Sequence, residues 1–375
     1  MLDADYLDIL PRTIVDFYEQ FHIEVLKFMA RRIANMNYAS AAWQAQRLIA
    51  SGLIYEEVIS RLAELLGKTE AELRIILNEA GVKSVAFDAK IYKAAGLKPM
   101  PIHQSPQMQR VLMSGLRRTM GTLRNLTGTT AIASQQTFIS AIDLAYQKIV
   151  TGTFDYGTAI RQAIYDVVSD GVQVIHFKSG YKENVDVAVR RAVLTGVNKT
   201  VGDLQLQLAE DLGVQHVAVS AHIGARNKGD VPENHEMWQG KVYSLLGDPD
   251  YPDFLEVTGY GTGPGLLGWN CRHSFYPYFK GISEDFYTPD ILKEYASKTV
   301  KYNNKTISFY DAKQKQRAIE RAIRYAKRQF EAIQAADLDA SKERQRVRNL
   351  QAKMRDFINQ TGLQREYGRE QIISS

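Results

Sequence analysis

The chain has 375 residues, 45% of them hydrophobic and 24% charged, with a formal net charge of +5. That length suits two or three domains with real cores and an ordinary solvated surface, and it excludes a disordered chain. The single cysteine excludes an intramolecular disulfide and a Cys-rich zinc module, while the acidic start MLDADYLDILPRT and the lack of a long apolar run give no signal for export or membrane insertion.

In chain order, Ile14, Phe17, Tyr18, Phe21, Val25, Phe28 and Met36 fall mostly three or four apart and predict one apolar stripe on a helix, closed by Arg31 and Arg32 where cations oppose the macrodipole. A second helix is expected from about Ala39 to Leu66, broken at Gly67. Thr69-Glu70-Ala71-Glu72 reads as a capping box that opens a third helix stopping at Gly81. Gly96, Pro99, Pro101 and Pro106 mark a linker that ends an all-helical N-terminal domain, 1–105. A helical connector, 106–170, follows, with an expected interruption in the Gly/Thr-rich Thr122–Thr130 stretch.

The periodicity changes at Gly171. Val172, Val174, Ile175 and Phe177 predict a strand, Ser179-Gly180 a turn, and Val185 onward a helix that ends before Gly213. Val214 to Ser220 alternates as a short strand leading into His222, Asn234 caps a short helix carrying His235 and Trp238, Gly240 closes it, and Lys241 to Leu246 is strand-like. Five glycines between Gly259 and Gly268 give a pliant loop that positions Trp269, Asn270, Cys271, Arg272 and His273. It lacks the strand, helix and Lys-Ser/Thr pair of a phosphate loop. The segment 171–282 is therefore expected to be a small central α+β domain, and 283–375 a basic helical C-terminal arm.

In that arm Ala318, Ile319, Ala322, Ile323, Ala326 and Phe330 supply one apolar stripe, and Val347, Leu350, Met354, Phe357 and Ile358 a second, which implies a partner helix in this chain or another. Between Asp311 and Glu370 fifteen Lys or Arg stand against nine Asp or Glu. Lys313, Lys315, Arg321, Arg324, Lys327 and Arg328 are the candidate contacts to DNA or to an acidic partner. The fold class is α+β, predominantly helical.

Four of seven histidines, the only cysteine and two of three tryptophans fall between His216 and His273. Imidazole and thiolate are zinc ligands, so His222, His235, Cys271 and His273 form one candidate metal set. A Cys271 thiolate with His235 or His222 as base and Glu236 or Asp230 as orienter is the enzymatic alternative. In the architectural reading the imidazoles and Arg272 satisfy buried polar groups while Trp238 and Trp269 fill a small core beneath the glycine loop, fixing one loop conformation without cofactor or catalysis.

The strings DVAVRRAVLTGVNKT (Asp186–Thr200), VSAHIGAR (Val219–Arg226), HEMWQGKVYS (His235–Ser244), GYGTGPGLLGWNCRHSFYPYFKGIS (Gly259–Ser283) and FINQTGLQREYGRE (Phe357–Glu370) closely resemble the minor capsid protein 2 family of tailed bacteriophages, related more distantly to the Mu F-like head morphogenesis proteins. The wider group usually ends the central motif in Cys-Arg-Cys, where this chain has Cys271-Arg272-His273. The resemblance implies a non-enzymatic virion protein that acts in head assembly and DNA packaging or delivery. Its implied partners are the portal and major capsid proteins, with scaffolding protein and packaged DNA as further candidates and no membrane. It implies a place in the head interior or at the portal vertex, and in the host cytoplasm during assembly.

Overall fold

The computed structural model describes residues 1–38, 43–175 and 180–372. Helices dominate, as the sequence implies. They are α1 (Ala4–Ile9), α2 (Arg12–Ala34), α3 (Trp43–Ala94), α4 (Pro106–Val150) and α5 (Tyr156–Asp170), then α6 (Val185–Asp211), α7 (Phe254–Thr258), α8 (Pro289–Ser297), α9 (Phe309–Ala335) and α10 (Ser341–Thr361). The strands are short: β1 (Gln173–Ile175), β2 (Lys182–Asn184), β3 (His216–Val219), β4 (Val242–Ser244), β5 (Phe275–Tyr278), β6 (Thr299–Tyr302) and β7 (Lys305–Ser308). Among the described residues no helix is long and apolar enough to cross a membrane.

The chain packs as two compact units, each assembled from three separate segments. The first comprises Met1–Thr13, Glu70–Thr122 and Arg190–Lys313, the second Ile14–Thr69, Leu123–Val189 and Gln314–Ser375. This division departs from the four consecutive segments expected from the sequence, because α2, α3, α4, α6 and α9 each contribute residues to both units.

In the first unit β3 is the centre of an antiparallel sheet ordered β4-β3-β5, with Val217 opposite Tyr243 and Pro277, and Val219 opposite Phe275. Side chains alternate across a strand, so Val217, Val219, Tyr243 and Phe275 share a face and bury against Trp238, Phe254, Leu266, Leu267 and Cys271. A second core joins Val85, Tyr92, Ile102, Met108, Leu204 and Leu208. Helices α4 and α6 meet at a reciprocal notch. A Cβ on Gly115 would lie 2.1 Å from Thr200 Oγ1, and one on Gly196 would lie 2.3 Å from Thr119 Oγ1, so each threonine occupies the space left by the other helix's glycine.

In the second unit the α2 stripe is buried at Ile14, Tyr18, Phe21, Val25 and Met36, with Phe17 and Phe28 half-buried. Trp43 stacks on Tyr146 with ring centroids 4.8 Å apart, Tyr38 packs on Trp43, and the Tyr156 hydroxyl donates to Met36 O at 2.8 Å. The partner implied for the C-terminal stripes lies in this chain. Ile323, Ala326, Met354 and Phe357 are fully buried, and Lys27 on α2 pairs with Glu331 on α9 at 3.2 Å. The apolar stripes are thus core, not surfaces held open for docking.

Several boundaries differ from the sequence reading. Helix α3 runs through Gly67, Thr69 and Gly81 without the expected break, capping box or stop. Glycine inside a helix costs only about 1 kcal/mol against alanine, and at Gly81 the backbone packs closely on its neighbours, where a Cβ would lie 3.1 Å from Leu204 Cδ1. Helix α4 likewise continues through Thr122–Thr130, where the hydroxyls of Thr122, Thr127, Thr129 and Thr130 donate to carbonyls one turn back instead of competing with the ladder. The helix breaks instead after Val150, at Gly152 (φ +67°), and Asp155 caps α5 by accepting from Thr158 N at 2.9 Å. Gly96 to Ser105 joins α3 to α4 inside the first unit, so it is an interhelical turn and not a domain linker.

The strand at β1, the α6 start at Val185 and the ends at Gly213 and Gly240 follow the sequence reading. Phe177 and Ser179 of the expected strand and turn, and Ala39 of the expected second helix, lie outside the described residues. Four strands were not anticipated: β2, which pairs with β1, β5, which pairs with β3, and β6 and β7, which form a hairpin turning at Asn303 and Asn304, both with positive φ.

Candidate functional site

Helix α6 is the platform for the central motif in the first unit. Two of its turns present Asn198, Lys199, Gly202 and Asp203 at i, i+1, i+4 and i+5, a single helical face. Asn198 Nδ2 donates to Cys271 O at 2.9 Å, Lys199 Nζ to Gly261 O at 3.2 Å, and the Tyr260 hydroxyl to Asp203 Oδ1 at 3.0 Å. Leu267 fills the space above Gly202, where a Cβ would lie 2.4 Å from its Cδ1. That packing holds Leu267 at φ +58°, a left-handed conformation rare for a branched side chain. Asn270 takes φ +55°, which its short polar side chain tolerates.

The glycines of the loop serve close approach. A Cβ on Gly265 would meet Gly259 O at 2.2 Å, and one on Gly268 would meet Gly263 O at the same distance. The loop folds on itself and presents Trp269, which lies against Gly263 and is 56% exposed. Trp269 therefore does not fill the core beneath the loop as expected. The loop is too closely wound to admit an indole between its own strands, and Trp238, fully buried, takes that place alone.

His235, Cys271 and His273 come together with ligand atoms all within 4.8 Å of one another, each buried. His222 stands beside them, its ring centroid 4.4 Å from that of His273, and Trp238 lies 4.5 Å from His235 and 4.8 Å from His273. Hydrogen bonds fix the proton positions. Gln239 Oε1 accepts the His222 backbone N–H at 3.1 Å, and the same oxygen accepts a hydrogen bond from His273 Nε2–H at 3.1 Å. The Pro264 carbonyl can only accept, so His235 carries its proton on Nε2, 2.8 Å away. His222 Nδ1 faces Ile223 O at 3.1 Å in the same way. Cys271 Sγ lies 3.6 Å from His273 Nδ1 and accepts the His273 backbone N–H at 3.4 Å.

The surroundings keep these groups neutral. Burial lowers His235 to about 4 and pushes the Cys271 thiol up to about 11, while burial followed by the fields of His222 and His235 holds His273 well below the usual histidine range. A buried, protonated thiol is a poor nucleophile, so this form of Cys271 does not fit the thiolate role. Glu236, offered as its orienter, is half-buried and raised by burial, and its backbone N–H goes to Arg226 O at 3.0 Å; Asp230 gives its carbonyl to Asn234 N at 2.9 Å. Arg272 turns away from the cluster to Asp8 Oδ1 at 2.7 Å, an anchor shared with Arg190 at 2.8 Å. Gly240 (φ +68°) closes the turn after Trp238 against Leu292.

Gln239, Asn198, Asp8 and the Pro264 carbonyl were not foreseen from the sequence. Gln239 sits inside the HEMWQG string, where its neighbours were a usable signal, but Asp8 lies 264 residues from Arg272 and left none.

The basic candidates divide. Lys315 and Arg321 are exposed. Arg324 Nη1 donates to Arg369 O at 2.5 Å and Lys327 Nζ to Gln371 Oε1 at 2.8 Å, while Lys313 lies over the Phe309 ring. Arg328 is not available to a phosphate. Its side chain, 7% exposed, binds both carboxylate oxygens of Glu19 at 3.0 and 2.5 Å and reaches Asp186 at 3.2 Å, because α2, α6 and α9 each bury a charge there against the others. A concavity of about 330 Å³ at the ends of α2 and α9 is lined by Arg31, Ala34, Asn35 and Gln334 to Asp337 and contains none of the motif residues.

A predominantly helical scaffold whose signature residues are spent on clasping loops is the build of a structural protein. The chain belongs to the phage minor capsid protein 2 family, whose model matches residues 2–359. It is 25% identical over 368 residues to a structural protein of Lactococcus phage LL-H, covering 93% of this chain and 94% of that one, and 33% identical over 131 residues to a structural protein of Lactococcus phage mv4, covering 34% and 96%. No solved structure matches the chain. The family and these relatives place it among phage structural proteins, components of the virion that assemble with other virion proteins.

Proposed function

We propose that the protein is a non-enzymatic component of the phage head, joined to the portal vertex, where it contacts the portal and major capsid proteins during head assembly and DNA packaging or delivery. The observation that carries this reading is the family match across residues 2–359, which spans both compact units. The buried, neutral state of the His/Cys cluster supports it, since groups committed to backbone carbonyls and an amide hold loop shape and leave little for turnover. The protein stays in the host cytoplasm until assembly. Packaged DNA is reached through exposed basic residues such as Lys315 and Arg321, which would give a steeply salt-dependent, sequence-independent contact.

The test is a phage carrying a nonsense codon early in this gene. Loss of the protein should leave heads that are misassembled or empty of DNA, with tail parts unaffected, and the protein should be present in purified wild-type heads. Normal, filled heads without it would overturn the reading.

A further inference from the structure

The geometry of the first unit points to a structural zinc site, held by Cys271 Sγ, His273 Nδ1 and an unprotonated nitrogen of His235. Zinc takes thiolate at about 2.3 Å and imidazole at about 2.05 Å in tetrahedral array, which sets the S···N separation between two ligands at about 3.6 Å. Cys271 Sγ and His273 Nδ1 stand 3.6 Å apart. The third residue's ligand atom lies within 4.8 Å of both, a gap that side-chain rotation closes.

The second layer is built as a zinc site needs it. A ligating imidazole donates its other N–H to a fixed acceptor, which sets its tautomer and aims its lone pair. Both rings meet that condition: His273 Nε2–H goes to Gln239 Oε1, itself pinned by the His222 backbone N–H, and His235 Nε2–H goes to Pro264 O. The sulfur is also prepared. The His273 amide points at Sγ from 3.4 Å, placing a donor where thiolate charge would sit, and Asn198 holds the Cys271 carbonyl from the other side. His222, with its Nδ1 turned to Ile223 O and its ring centroid 4.4 Å from that of His273, would supply the fourth ligand. A simple S–H···N bond between Cys271 and His273 accounts for one of these contacts but not for two imidazoles locked in the same tautomer around one sulfur. Zinc binding requires the thiol to lose its proton, so one proton is released to solvent for each ion bound.

The experiment uses the full chain, purified from zinc-supplemented culture, assayed for metal by mass spectrometry and then titrated with cobalt(II) after chelation. One zinc per chain is expected, with a thiolate-to-cobalt charge-transfer band and the visible absorption of a tetrahedral ion. Cys271→Ser should lose the charge-transfer band, and His216→Gln, at a histidine paired with Asp248 elsewhere in the unit, should keep it. Wild-type protein that is free of zinc and gives no charge-transfer band overturns the assignment whether or not the variant folds. A Cys271→Ser protein that keeps the band does the same.

Discussion

Arg328→Met tests how far the second unit depends on its buried charges. The guanidinium bridges Glu19 on α2 and Asp186 on α6, with side chains 7%, 6% and 5% exposed. Asp186 also faces His22 Nδ1 at 3.4 Å, whose Nε2 accepts the Val172 N–H at 3.0 Å, so α2, α6, α9 and the approach to β1 converge on one point. The His22 ring is held neutral, its pKa lowered by burial and then by Arg328, so the network carries one positive charge against two negative. Removing the positive one leaves Glu19 and Asp186 buried without the guanidinium that offsets their charge, with only the neutral His22 ring beside Asp186. Breaking a buried pair from one side costs about 3–5 kcal/mol, against a total of about 5–15 kcal/mol for a typical domain. The expected result in urea unfolding of the purified chain is a large fall in midpoint at unchanged slope. Arg328→Lys should fall between, because an ammonium cannot grip both Glu19 oxygens in plane. The triple change Arg328→Met, Glu19→Gln, Asp186→Asn should recover most of the loss, since no charge is left stranded. An unchanged midpoint for Arg328→Met would refute the reasoning, as would a triple variant no better than the single.

Gly196→Ala should destabilise by about 1–3 kcal/mol, the usual cost of overpacking, because its new methyl would sit 2.3 Å from Thr119 Oγ1; thermal unfolding reads this directly. Gln239→Leu strips the acceptor from both the half-buried His222 amide and the buried His273 Nε2, and leaving these donors unmet should cost about 1–3 kcal/mol. Asp88 gives a pH-dependent prediction. Burial raises its carboxyl to about 7 from the ordinary 3.8 despite the hydrogen bond from Gln205. Its raised folded pKa means that its contribution is fully present below about pH 3.8 and is lost as pH rises through about 7. By pH 8 the loss is on the order of 4 kcal/mol, so Asp88→Asn should be the more stable protein at pH 8 and no more stable than wild type at pH 4. Equal stability differences at the two pH values would contradict that sign.

Local chemistry was legible where it met no opposition. The α2 stripe, the β3 strand running into His222, and the stops at Gly213 and Gly240 all follow from patterns a few residues long. Gly67, Thr69 and Gly81 misled because their signals concern an isolated helix, whereas α3 runs on through all three and at Gly81 packs against Leu204 and Ile102. Asn303-Asn304 carried a hairpin signature in plain sight, two residues suited to the positive φ that a tight turn requires. At the site, the sequence grouped His222, His235, Cys271 and His273, and the fold brings the last three within 4.8 Å of one another, but the sequence also put Trp269 inside, since residue type alone does not separate a buried indole from one lying on a glycine loop. Arg328 illustrates the limit most clearly. Its partner Glu19 is 309 residues away, so no local pattern distinguishes it from the solvated arginines of the same helix.

The most direct measurement is a reconstruction of the intact particle at side-chain resolution. Density for this chain at the portal vertex, in contact with portal and capsid subunits and with the His235, Cys271 and His273 cluster enclosed within its own fold, is the expected result. Filled heads in which no such density exists, or a chain whose cluster opens onto a bound substrate, would contradict a structural role in the head.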